Sequence, residues 1–225
     1  MKKDLAAIAF LLLSHGCPAQ FAVIQDPDGN TNVRQEPDGT SAVVYTLHND
    51  EVFMSAMLPD PDIQWLPVTI AKNPCTIICG DFDYITGYIH RSRVQFIEDL
   101  PTYTGDQVSI QLEVRPFSEA GKYFEYVDSD LKYISKINGL HFWGTDGDLP
   151  KTEVGAFHIM VFGNDLTIPE IFYTDLFDCN KEYTIYRKGD IFFAENRNSD
   201  GAGSYSLVWV FDSHAILQRF IVGAP

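Results

Sequence analysis

Cys75, Cys79 and Cys179 could each supply a thiolate, and His48, His90, His141, His158 and His214 could each supply a base. Nucleophilic catalysis needs such a pair within hydrogen-bond reach, with the thiol acidified by a helix start or a neighbouring cation. Cys179 follows a helix predicted over residues 169–177, where Pro169 suits the first turn and Ile171, Phe172 and Leu176 make an apolar face. A thiol at a helix end meets the negative end of the dipole, which raises its pKa. That position argues against a nucleophile and leaves Cys179 as a small, partly buried hydrophobe. A zinc site at Cys75 and Cys79 needs two more ligands at compatible spacing, and none lie nearby. In an oxidising compartment the same two cysteines would form a disulfide across Thr76-Ile77-Ile78, with Pro74 and Gly80 marking the turn; two free thiols are the alternative.

The carboxylates read mostly as turn formers. Asp26-Pro27-Asp28-Gly29-Asn30 begins like a calcium loop, but the sixth position from Asp26 is Thr31 and the twelfth is Pro37, where glycine and a bidentate glutamate are required. Asp146 and Asp148 beside Trp143, with Asp200 in a later glycine-rich loop, could form an acid–base pair only if one carboxyl were held in a drier site. Aspartate–glycine pairs are also ordinary turn chemistry. The loop over residues 198–205 lacks the Gly-Lys-Ser/Thr ending of a phosphate loop and precedes strand signals instead of a helix. No catalytic residue, metal ligand or cofactor is assigned from these patterns.

Charge and the N-terminus bound the setting. The 225 residues carry 31 acidic and 16 basic side chains, a formal charge of −15, which disfavours nucleic acid and anionic membrane surfaces. Lys2 and Lys3, an apolar run over residues 5–13 and Cys17-Pro18-Ala19 have the pattern of an export signal cut after Ala19, leaving Gln20 at the new end. Loss of Lys2, Lys3 and Asp4 would bring the mature chain to −16. Lipoprotein processing at Cys17, after Ser14-His15-Gly16, is the alternative. No later stretch is apolar enough to span a membrane as a helix. The expected location is therefore periplasmic or extracellular.

The elements that must hold these residues are strands. β-rich segments over residues 43–47, 52–57, 65–70 and 88–96 are separated by Asn49-Asp50, Pro59-Asp60-Pro61-Asp62 and the cysteine loop. Asn32-Val33-Arg34, Pro37, Trp65, Val68 and Gly87-Tyr88-Ile89 resemble, in order and spacing, the signatures of a bacterial SH3-like domain over residues 21–98; the insertion over residues 72–84 departs from it. The resemblance implies a small binding barrel whose groove is lined by Tyr45, Trp65 and Tyr88, with His90 exposed at its edge. Exported SH3-like domains often accompany cysteine peptidases of the cell wall, which is why a hydrolase is kept as one reading.

Residues 99–106 read as a linker. Beyond it Val108, Ile110, Leu112 and Val114 alternate with polar residues, and further strands are expected over residues 123–127, 133–137, 157–162, 183–186, 191–195, 205–211 and 216–222. Trp143-Gly144-Thr145-Asp146-Gly147-Asp148 and the loop over residues 198–205 are similar to motifs of an uncharacterised family of exported bacterial proteins, which implies location but no mechanism. The expected fold is all-β: a signal over residues 1–19, an independently folding SH3-like barrel over 20–98, a linker over 99–106 and, over 107–225, an antiparallel sandwich or barrel with one short helix. The expected function is non-catalytic recognition of a cell-wall peptide or an envelope protein. An acidic inhibitor or immunity protein against a basic toxin or hydrolase is the first alternative, and a cell-wall hydrolase the second. Trp143, Asp146, Asn198, Ser199 and Asp200 are expected to form a second recognition surface.

Overall fold

The computed structural model describes residues 19–56, 60, 62–72, 84–127, 130 and 132–223. The chain is all-β. Seven strands come first: β1 (Ala19–Ile24), β2 (Asn30–Arg34), β3 (Val43–His48), β4 (Phe53–Ala56), β5 (Trp65–Ala71), β6 (Tyr84–His90) and β7 (Val94–Phe96). They form one antiparallel sheet in the order β3-β2-β6-β5-β4-β1-β7. A two-residue alternation gives it one buried face: on β5, Leu66, Val68 and Ile70 point inward and Trp65, Pro67 and Thr69 outward. Ala22, Ile24, Val33, Leu47, Phe53 and Ile89 complete this core. At Gly87 a side chain is excluded, because a Cβ would fall 2.7 Å from the Arg34 carbonyl oxygen where β6 crosses β2. The proposed disulfide pair, Cys75 and Cys79, lies outside the described residues.

Nine strands follow: β8 (Val108–Pro116), β9 (Phe124–Tyr126), β10 (Ile134–Ile137), β11 (Thr152–Val161), β12 (Asn164–Thr167), β13 (Thr184–Lys188), β14 (Ile191–Asn198), β15 (Tyr205–Phe211) and β16 (Ile216–Gly223). They make a three-stranded sheet β12-β11-β8, a four-stranded meander β13-β14-β15-β16 and a β9–β10 ribbon. The meander is buried on both faces. Phe192, Ala194, Leu207, Trp209 and Phe211 meet Val108, Phe157, Ile159 and Val161 of the three-stranded sheet. Phe193, Val208, Val210, Phe220 and Val222 meet Phe21, Val23, Val52, Ile97 and Leu100 of the first half. Such a strand has no solvent face to keep polar, which is why β15 reads Tyr-Ser-Leu-Val-Trp-Val-Phe without clean alternation.

The two halves are therefore layers around a shared core. Residues 99–106, expected as a linker, are fastened: Leu100 is buried in that core, Tyr103 donates its N–H to the Ile185 carbonyl at 2.7 Å, and Arg187 donates to the Pro101 carbonyl at 3.0 Å. This segment covers the free edge of β13, as exposed strand edges require. Gln218, 3% exposed on β16, accepts the Val52 N–H at 2.7 Å and returns its side-chain N–H to the Val52 carbonyl at 2.9 Å, so its amide imitates a neighbouring strand. Tyr84 Oη to the Ile221 carbonyl (3.0 Å) and Lys188 Nζ to the Ile24 carbonyl (2.8 Å) add two more ties.

The helix expected over residues 169–177 shrinks to one 3-10 turn, Glu170–Phe172. The competing force is bridge pairing: Leu176 pairs with Trp143, Phe177 pairs with Glu153, and Phe177 donates its N–H to the Trp143 carbonyl at 3.0 Å. These bonds draw the chain out of helical geometry just where the helix would have continued.

Candidate functional site

The aromatics expected to line one barrel groove are divided between two surfaces. Tyr45 shares the core side of β3 with Leu47 and donates its hydroxyl to Glu51 Oε1 at 2.5 Å. Burial, then the hydrogen bond to Glu51 and its charge, push the Tyr45 pKa up to about 12. Trp65, Pro67, Tyr88 and His90 share the outer face, where Trp65 is paired in register with His90 and their rings meet edge to face at 5.5 Å. His90 Nδ1 lies 2.8 Å from Ser92 Oγ. The apparent calcium loop is a closed turn: Asp26 accepts from the Asp28 N–H at 3.1 Å and the Thr31 hydroxyl at 2.6 Å, and Arg93 reaches it at 3.1 Å. Those bonds, Thr31 first, hold its carboxyl below the usual range.

The two loops singled out in the second half do come together. Ser199 donates its hydroxyl to the Gly144 carbonyl at 2.6 Å, and at Gly203 a Cβ would lie 2.5 Å from the Thr145 carbonyl carbon. Ser199 holds a left-handed backbone, φ +58°, a conformation that a non-glycine residue keeps only when its surroundings impose it. Asp146, Asp148 and Asp200 are exposed, whereas Trp143 is half-buried against Tyr205 with ring centres 6.1 Å apart. Behind this contact lies the polar interior. Cys179 Sγ sits 3.0 Å from Tyr205 Oη, which in turn lies 3.1 Å from the Phe177 carbonyl. Burial pushes the Cys179 thiol up to about 11, opposed by the Tyr205 hydrogen bond and reinforced by the Asp175 charge. A helix dipole plays no part, because the helix is absent; burial is the largest cause of the rise.

The feature that sequence reasoning missed is a cleft of about 400 Å³ where the two halves meet. Gln20 and Phe21 from β1, Met54 from β4 and Glu98 line it from the first half; Glu195 and Arg197 from β14, the loop over residues 198–201, Ser204, Ser206 and Val222 line it from the second. Glu195 and Arg197 lie two residues apart on one face of β14, so both reach the seam. The Arg197 guanidinium bridges Glu98 Oε1 at 3.1 Å and Glu195 Oε1 at 3.5 Å. Burial raises the Glu195 pKa, Arg197 opposes the rise and Glu98 adds to it. Gln20 donates Nε2 to Glu98 Oε2 at 2.9 Å. Asn198, 2% exposed, accepts the Asn180 N–H on Oδ1 at 2.8 Å. Among the described residues, Gln20 Oε1 is buried without a hydrogen-bond partner at the seam, and Asn198 Nδ2 likewise on the opposite face of β14, towards Asn180.

Three of the residues expected to bind, Asn198, Ser199 and Asp200, thus line the cleft, and Tyr45, Trp65, Tyr88, His90, Trp143 and Asp146 do not. Glu98, Glu195 and Arg197 carried no local signal, since only the packing of the halves makes them neighbours. Among the described residues no group of three His, Cys, Asp or Glu side chains could hold a metal ion, and no helix is long and apolar enough to cross a membrane. Comparison with known proteins finds no matching family model, no matching curated protein and no matching solved structure.

Proposed function

We propose that this chain is an exported recognition protein of the cell envelope, a non-catalytic binder of a cell-wall peptide or an envelope protein, and that the cleft between its halves is where it binds. The observation that carries this reading is the cleft itself: a concave seam with an apolar floor and converging charged groups. Few convergent polar groups over apolar walls are what a ligand site needs. The setting of Cys179 supports binding over hydrolysis, because a thiol raised to about 11 is protonated at neutral pH. The SH3-like resemblance of the first half and the export-signal pattern of the N-terminal sequence support an envelope location. The formal charge of −15 favours a second reading, an inhibitor or immunity protein that captures a basic toxin or hydrolase.

The test is capture from a detergent-treated envelope fraction by the immobilised mature protein, compared with Ser206→Trp. Ser206 lines the cleft and is half-buried, so an indole there fills the seam. Loss of the captured species in the variant, with unchanged circular dichroism, is the expected result. Equal capture would remove the cleft as the site, and release of soluble wall fragments from purified sacculi would replace recognition with hydrolysis.

A further inference from the structure

We infer that β8 is the pairing edge of a homodimer: a second copy of this chain adds its own β8 antiparallel across a two-fold axis at Leu112, joining two three-stranded sheets into one.

The chain covers one of its sheet edges and leaves another open. Residues 99–106 lie along β13, whereas β8, nine residues long, ends the sheet β12-β11-β8, and no turn or loop among the described residues hydrogen-bonds to its outer side. Bonding direction alternates along an antiparallel strand, so the bonds at its two ends fix which residues face outward. Just before β8, Gln107 accepts the Phe162 N–H at 2.7 Å; just after it, Phe117 donates to the Lys151 carbonyl at 3.0 Å. Both positions are odd-numbered, and the irregularity in the pairing falls on β11 at Gly155, so β8 keeps its alternation throughout. The odd residues therefore bond to β11, while Val108, Ile110, Leu112 and Val114 turn their N–H and C=O groups to the open side. Pro116 belongs to the same outward set, where a missing N–H costs the ladder nothing. Ile110 and Leu112 pack against the core yet remain only half-buried at this edge.

What pairs with the edge is set by its own sequence. Open edges are usually guarded by lysine, proline or an inward charge; β8 has no lysine, and its one proline is its last residue. Paired with itself about Leu112, β8 overlaps over all nine residues and both faces match. On the core side Leu112 meets Leu112 of the second copy, and Ile110 meets Val114. On the outer side Gln111 meets Glu113, whose carboxylate accepts an amide N–H, and Ser109 meets Arg115. Moving the axis to Glu113 would set that carboxylate against its own copy and shorten the overlap. β8 holds one carboxylate and one guanidinium, so the edge is locally neutral in a chain of −15. The net charge still opposes association, and salt shortens the reach of that repulsion.

The test is sedimentation equilibrium of the mature protein over a range of concentrations. A monomer–dimer equilibrium that tightens as salt rises from about 0.02 M to about 0.2 M is the expected result. Val114→Pro removes an outward N–H and no bond to β11, so it should weaken the dimer about tenfold or more with circular dichroism unchanged. Two changes at the exposed Gln111 read the register: Gln111→Lys, set against Glu113 of the second copy, should tighten the dimer about three- to tenfold, and Gln111→Glu should weaken it by a similar factor. Thr167→Lys and Thr167→Glu, exposed on β12 at the far edge of the same sheet, change net charge equally and should move the constant by less than about twofold. A monomer at every concentration, a dimer indifferent to Val114→Pro, or Gln111 variants that behave like those at Thr167 would overturn the inference. Should Val114→Pro disturb the fold, the variants at Gln111 and Thr167 decide by themselves.

Discussion

Arg219 Nη2 donates to both carboxylate oxygens of Asp175, at 2.7 and 2.9 Å, and both side chains are 2% exposed. Burial raises the Asp175 pKa while the guanidinium opposes that rise, so the pair survives because each charge answers the other. Asp175→Ala should cost about 3–5 kcal/mol in a urea titration, because it strands the arginine beneath Trp209. The double change Asp175→Leu with Arg219→Met should recover most of that loss, since burying two ions costs about as much as their attraction returns. Glu195 gives a second expectation with the opposite sign to the usual carboxylate. Its folded pKa lies above its ordinary 4.5, so between those values the folded state holds more proton than the unfolded state, and stability falls as pH rises through that window. Glu195→Gln removes the effect: the difference in unfolding free energy between variant and wild type should grow in favour of the variant from about pH 4.5 upward and then level off. A difference that shrinks with rising pH would mean that Arg197 dominates the environment of Glu195.

At the scale of elements, strands were legible wherever local pattern decides. β8 alternates, β5 and β6 carry the Trp65 and Gly87 signatures, and β15 and β16 appear close to their expected ends. β12 was missed because Asn164–Thr167 reads as polar turn, yet pairing with β11 makes it a strand. The 169–177 helix was over-read because proline and apolar spacing are local signals, whereas the bonds from Phe177 to Trp143 and Lys151 N–H to Asp178 Oδ1 (3.0 Å) come from distant segments. The site divides along the same line. Asn198, Ser199 and Asp200 were found from a glycine-rich loop, a signal of short range. Glu98, Gln20 and Glu195 were not found, because 78 residues separate Gln20 from Glu98 and nothing in either neighbourhood points to the other. β1 is the instructive case: Ala22 and Ile24 serve the core of the first sheet while Phe21 and Val23 serve the shared one, and a continuous apolar run alone does not say which partner takes which face.

For the whole molecule, the shared core decides whether the two halves behave as domains. Residues 20–98 were expected to fold alone, but in isolation they would present Phe21, Val23, Val52 and Ile97 to water, residues that are all buried here. An exposed cluster of that kind is what an interface becomes when its partner is removed. The halves are therefore expected to unfold together. Gln218 offers the sharpest test, because it sits on β16 yet its two bonds satisfy the backbone of Val52 in the first half. Gln218→Leu keeps the volume and leaves a buried N–H and a buried carbonyl unpaired, at about 1–3 kcal/mol for each group. If the molecule is one cooperative unit, that change lowers the urea midpoints reported by amides of β5 and of β11 by the same amount, though neither strand touches residue 218 through a hydrogen bond of its own. Midpoints that separate, with β11 unmoved, would show two domains that merely adhere, and would make the cleft between them a hinge instead of a fixed seam.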